Sequence, residues 1–197
     1  MKKYRLLTDK DRNDIAHTCV IAGHSPDKVR WDCVSAGSDD AAEMKNTVTA
    51  IIEKLIREKG VNTFLCGMSR GMSLLMAGYV IKLKKKYPDI RLKCYVPDQG
   101  FLRSWSEDQK ALFMRTTEKS SAAYYMADEP IRYIYQTRRE YMVDNAAYLL
   151  AAYTLGTDSG TGEMVRYAYE AGRIVIIVDP ETRKVYYKDP TAQQKSD

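Results

Sequence analysis

VNTFLCGMSRGMSLLMAGYVIKLKKKYPDIRLKCYVP, residues 61–97, decides the fold. VNTFLCG (61–67) is a short apolar run closed by glycine, the pattern of a buried strand. A long apolar-rich segment from about Met72 to Lys86 follows and stops before Pro88, as a helix must, because proline disfavours the α conformation in the residue before it. IRLKCYVP (90–97) is then a second buried run. Strand, helix and strand in that order make a crossover unit, the connection that parallel neighbours require.

The same alternation extends in both directions. Upstream, HTCVIAG (17–23) reads as a strand cut off by Gly-His-Ser-Pro, and residues 39–59 place Met44, Val48, Ile51, Ile52, Leu55 and Ile56 on one helical face, with Gly60 as the stop. Downstream, helices are predicted over 106–119, 131–144 and 160–172, and strands over 121–127, 146–153 and 173–180. KVYY (184–187) is a candidate edge strand. Near-continuous apolar strands separated by helices imply an α/β three-layer sandwich with a mostly parallel six- or seven-stranded sheet. A single domain is expected, its core over about 17–180, with polar termini at 1–16 and 188–197.

Composition narrows the function classes. The 197 residues are 45% hydrophobic and 29% charged, as in a globular domain, and no apolar run approaches the roughly 18 residues of a membrane span. The N-terminal stretch has no signal-peptide pattern, so a cytoplasmic protein without membrane contact is expected. The four cysteines (Cys19, Cys33, Cys66, Cys94) lack metal-ligand spacing, and three fall in predicted strands, pointing to reduced core thiols and no metal site. A net charge of +5 favours anionic ligands without naming one. KLKKKY (82–87) is best read as a solvated helix end, and the tyrosines and arginines of 131–148 as helix packing, so nucleic acid is disfavoured as a partner. An apolar face such as that of 72–86 suits either the core or a homodimer interface.

In open α/β sheets ligands bind beyond the C-terminal strand ends, where the strand order reverses. Three loops there are unusual: Gly23-His24-Ser25-Pro26, Gly67-Met68-Ser69-Arg70-Gly71, and Asp158-Ser159-Gly160-Thr161-Gly162-Glu163. Glycines let backbone N–H groups approach a ligand, and the helix N-terminus beyond supplies unpaired donors, the recipe for holding phosphate. An order of 3-2-1-4-5-6 for the six main strands would bring the three loops to one crest. Neither G-x-x-x-x-G-K-[ST] nor a complete G-x-G-x-x-G occurs, since Val165 stands at the third glycine, so neither a P-loop NTPase nor an ordinary dinucleotide dehydrogenase is expected, and no cofactor. Gly67 to Gly71 matches G-x-S-x-G, the context of a nucleophilic serine, yet both histidines (His17, His24) precede Ser69, leaving only an unusual pairing with His24. Arg138 and Arg139 are either surface ion-pair partners of Glu140 or Asp144, or a phosphate clamp.

The ordered set AGHSPDKV (22–29), FLCGMSRGMSLLMAGYVIKLKKKYPDI (64–90), RSWSEDQ (103–109), YQTRREYMVDN (135–145) and SGTGEMVRYAYEAGRIVIIVDP (159–180) resembles the YpsA-like family of the SLOG superfamily, over about His17 to Pro180. The resemblance implies a Rossmann-like fold and relatives that include the LOG phosphoribohydrolases and the DNA-processing protein DprA. It implies binding of a nucleotide or nucleotide-derived ligand, as in a sensor, at Gly23, His24, Gly67, Met68, Ser69, Arg70, Gly71, Arg138, Arg139, Ser159, Gly160, Thr161, Gly162 and Glu163. The alternative is N-glycosidic hydrolysis of a nucleoside phosphate, with Arg138 fixing phosphate and Glu163 as the catalytic acid or base. Two departures from the pattern matter. Ser25 stands where the family has arginine, with Arg70 as the candidate replacement, and Met164 stands where the hydrolases have their glutamate, one residue or about 100° of helix from Glu163.

Overall fold

A computed structural model describes residues 5–8, 13–28 and 37–190. Eight strands form one sheet: β1 (Arg5–Leu6), β2 (Thr18–Gly23), β3 (Thr63–Cys66), β4 (Arg91–Val96), β5 (Ala122–Tyr125), β6 (Tyr148–Ala152), β7 (Ile174–Val178) and β8 (Val185–Lys188). Their order is β1-β5-β4-β3-β2-β6-β7-β8. Every pairing is parallel except β7 with β8, where KVYY becomes an antiparallel edge.

Among the described residues five α-helices cover the sheet: α1 (Asp39–Lys59), α2 (Met72–Leu83), α3 (Glu107–Lys119), α4 (Ile134–Asp144) and α5 (Gly160–Glu170). Alternate strand residues divide the core. Cys19, Ile21, Phe64, Cys66 and Leu150 pack with α1, α2 and α3, whereas Val20, Ala22, Leu65, Ala151 and Val175 pack with α4 and α5. The helix ends follow local chemistry. The Ser38 hydroxyl accepts from Ala41 N–H at the start of α1, Gly60 closes that helix at φ 67°, and Ser106 and Gln109 form a reciprocal capping box on α3. Helix α4 begins at Ile134, later than periodicity suggests, because Tyr133 adopts φ 63° and interrupts the helix there.

Two expectations need correction. The fourth main strand, β5, lies outside β4 and not beside β2, so the six main strands run 4-3-2-1-5-6. The chain adds β3, β4 and β5 outward in succession, and the return comes only with α4, whose Met142 and Val143 pack over Leu65, Tyr95 and Tyr124 on the way to β6. The N-terminal segment, read as a polar terminus, also contributes β1, which pairs with β5 and adds an eighth strand. Cys19, Cys66 and Cys94 are buried in the core, and burial pushes the thiols of Cys19 and Cys66 up to about 12. Cys33 lies outside the described residues. Among the described residues no helix is long and apolar enough to cross a membrane.

Candidate functional site

β2 pairs with β3 on one side and with β6 on the other, so the strand order reverses between β2 and β6. The corrected order therefore still brings the three glycine loops together, since β3, β2 and β6 are neighbours. A cavity of about 210 Å³ opens at this point, lined by Gly23, His24, Gly67 and Ser69 from the first two loops, Arg138, Arg139 and Met142 from α4, and Ser159, Gly160 and Thr161 from the third loop.

The floor is fixed by Ser73 in the first turn of α2, whose hydroxyl accepts from Gly23 N–H at 3.0 Å and donates to Gly23 C=O at 3.2 Å. Gly23 must be glycine because a β-carbon there would lie 2.5 Å from Met72 Cβ. Gly71 caps α2 at φ 84°, and a side chain on it would meet His24 C=O at 2.6 Å. These contacts join the first loop to the second.

Arg138 reaches in from α4 and is only 4% exposed. Nη1 donates to Gly67 C=O at 2.8 Å and Nη2 to Ser69 Oγ at 3.3 Å, while Nε is buried without a partner. Its guanidinium carbon lies 5.5 Å from the Phe101 ring centre and 5.3 Å from that of Tyr135. No carboxylate pairs with it among the described residues. Burial pulls its pKa down to about 10, against the weaker opposing pull of Tyr135, Cys66 and Asp98, still far above neutrality, so the cavity wall carries a buried positive charge with no ion-pair partner among the described residues.

His24 is fully buried, its ring 5.1 Å from that of Tyr153. Thr154 N–H donates to His24 Nε2 at 3.1 Å, which fixes the neutral ring with its proton on Nδ1, and that atom is buried without a partner. Burial, reinforced by Lys28, holds His24 below its ordinary pKa against the opposing pull of Asp179 and Asp27. Ser69 is bonded to Arg138 and His24 Nε2 to Thr154, so the two do not form the nucleophile and base of a hydrolase.

Helix α5 presents its N-terminus to the same cavity. Ser159 Oγ accepts from Gly162 N–H at 3.1 Å, and the preceding amides of Gly160 and Thr161 have no acceptor among the described residues. Arg139 Nη2 is ion-paired with Glu163 Oε2. Glu163 does not line the cavity. It faces a neighbouring groove of about 260 Å³ between α4 and α5, shared with Arg139, Glu140 and Tyr167.

The remaining sequence candidates shape the loops from behind. Met68 is buried at φ 55° with its N–H on Cys66 Sγ at 3.3 Å, and Gly162 packs against Thr157 C=O and the Tyr153 hydroxyl. Arg70 lies 6.0 Å from the Trp105 ring centre and does not line the cavity. Sequence reading missed Ser73 and Tyr135. A serine in the first turn of an otherwise apolar helix was the available signal for the first, and Tyr135 was hidden among tyrosines and arginines read as packing.

A cationic cavity at the reversal point of a parallel sheet places the molecule among Rossmann-like α/β proteins with a crest site. The chain matches the YpsA family, described as the YspA SLOG family, over residues 20–173, and it belongs to that family. It is 28% identical over 138 residues to the uncharacterized SPbeta prophage-derived protein YoqJ of Bacillus subtilis, covering 64% of this chain and 80% of that one. It is 26% identical over 119 residues to the UPF0398 protein SERP1017 of Staphylococcus epidermidis, covering 58% of this chain and 63% of the relative, somewhat under two thirds of its length.

Proposed function

We propose that the cavity binds a nucleotide or nucleotide-derived molecule through its phosphate, and that the protein acts as a binding protein of the sensor type. The observation that carries this reading is Arg138: a guanidinium 4% exposed, on the wall of a cavity, with an unpartnered Nε and no carboxylate at ion-pair distance among the described residues. Burying an uncompensated charge is costly, and a phosphate delivered by a ligand is the natural counter-ion. The free amides of Gly160 and Thr161 and the Nδ1–H of His24 add donors of the same polarity. Family membership supports a nucleotide as the carrier of that phosphate.

Glycosidic hydrolysis has weaker support. Glu163, its candidate acid or base, is held by Arg139 in the adjoining groove, and Met164 lines the cavity instead. Thermal unfolding against a panel of nucleoside mono-, di- and triphosphates, ADP-ribose and NAD tests the binding reading. A ligand at 100 times its Kd adds about 2.7 kcal/mol, hence a rise of roughly 5–10 °C for a domain of this size. The rise should vanish in Arg138→Met. No rise with any member of the panel would overturn the proposal.

A further inference from the structure

Resting on the phosphate reading above, we infer that Tyr135 is the platform on which the ligand's base stacks, so that the ligand class is a nucleoside phosphate bound with its phosphate inside and its planar ring at the rim. The cavity, about 210 Å³, is smaller than the roughly 300–1,000 Å³ of typical small-molecule sites. With the phosphate against Arg138 and the sugar beside it, the base projects through the mouth. Tyr135 stands there, lining the cavity yet 50% exposed.

Its ring is held for this purpose. Tyr135 lies one helical turn before Arg138 on α4, and both the guanidinium and Phe101 sit against it, the two rings 6.5 Å apart and tilted by 48°. An aromatic ring backed by a fixed cation and open to solvent is an unusual surface feature: apolar, rigid and unpaired outward. A nucleobase added to it would stack on a ring that Arg138 and Phe101 already support. Stacking of this kind reads flatness more than hydrogen-bonding pattern, so several bases are accepted, purines before pyrimidines.

Affinities of inorganic phosphate, ribose 5-phosphate, AMP and CMP for the full chain test the inference. In the wild type AMP should bind more tightly than ribose 5-phosphate, with CMP between them. Tyr135→Ala should weaken AMP tenfold or more while changing ribose 5-phosphate less than threefold, and Tyr135→Phe should keep AMP within threefold. Equal losses for both probes would mean that Tyr135 only props Arg138. That result, or no loss for either probe, overturns the platform while leaving the phosphate reading intact. Ribose 5-phosphate and phosphate that fail to bind the wild type, or bind without regard to Arg138→Met, overturn the phosphate reading and the platform with it.

Discussion

Arg138 and Arg139 are adjacent on one helix, yet they live in different electrostatic worlds. Arg138 is buried, donates to a backbone carbonyl and a serine, and has aromatic rings where a counter-ion would be. Arg139, turned about 100° around α4, is paired with Glu163, whose side chain is 47% exposed, and it forms the boundary between the cavity and the outer groove. On the proposed reading the first charge is met by a ligand's phosphate, whereas the second already has a carboxylate partner within the chain.

Replacing each arginine by methionine, which conserves length and removes charge, should separate them most widely. Arg138→Met should weaken ribose 5-phosphate by about 2–4 kcal/mol, or thirtyfold to a thousandfold, while Arg139→Met should cost less than about 1 kcal/mol, both measured by calorimetric titration. Arg138→Met should at the same time leave the unfolding midpoint of the ligand-free protein unchanged or higher, because it removes a buried charge that has no ion-pair partner. Comparable affinity losses in the two variants would erase the distinction.

The glycines beneath the two arginines extend the contrast. A β-carbon at Gly67 would lie 3.3 Å from both Arg138 Cζ and Met142 Cε, atoms of side chains that are themselves buried, whereas one at Gly160 would meet only the Nη1 end of Arg139 within 3.4 Å. Denaturant unfolding should show Gly67→Ala destabilising by about 1–2 kcal/mol and Gly160→Ala neutral or slightly stabilising, since alanine also favours the helix. Glu163→Gln should cost less than about 1 kcal/mol, shrinking further in high salt, as expected of a half-exposed ion pair.

The smallest effect concerns pH. His24 is held neutral, so the unfolded chain takes up a proton that the native chain resists, and stability from this residue is present above the unfolded pKa near 6.5 and lost as pH falls below it. Between pH 7 and 5 the unfolding free energy of the wild type should fall more steeply than that of His24→Gln. Parallel curves would mean that His24 titrates alike in both states.

Much of this architecture is written in local sequence. Apolar runs and glycine stops located β2, β3, β4, β6 and β7 because burial on both faces leaves no polar alternation to misread. Strand order was less legible: nothing within 121–127 says whether that strand joins β4 or β2, since the choice depends on where α4 crosses. The crest loops could be named in advance, but the division of labour between Arg138 and Arg139 could not. One residue of helical rotation decides it, and the α4 boundary that sets the rotation depends on Tyr133 at φ 63°, a conformation no residue pattern announced.

The hydrogen bond from Thr154 to His24 joins residues 130 positions apart, and β2 meets β6 only across the same interval. During synthesis the first half of the cavity is therefore made long before the half that completes it, and the cavity is whole only once β6 and the start of α5 have left the ribosome and docked. On the proposed reading, a phosphate ligand would therefore stabilise only chains that have finished the sheet.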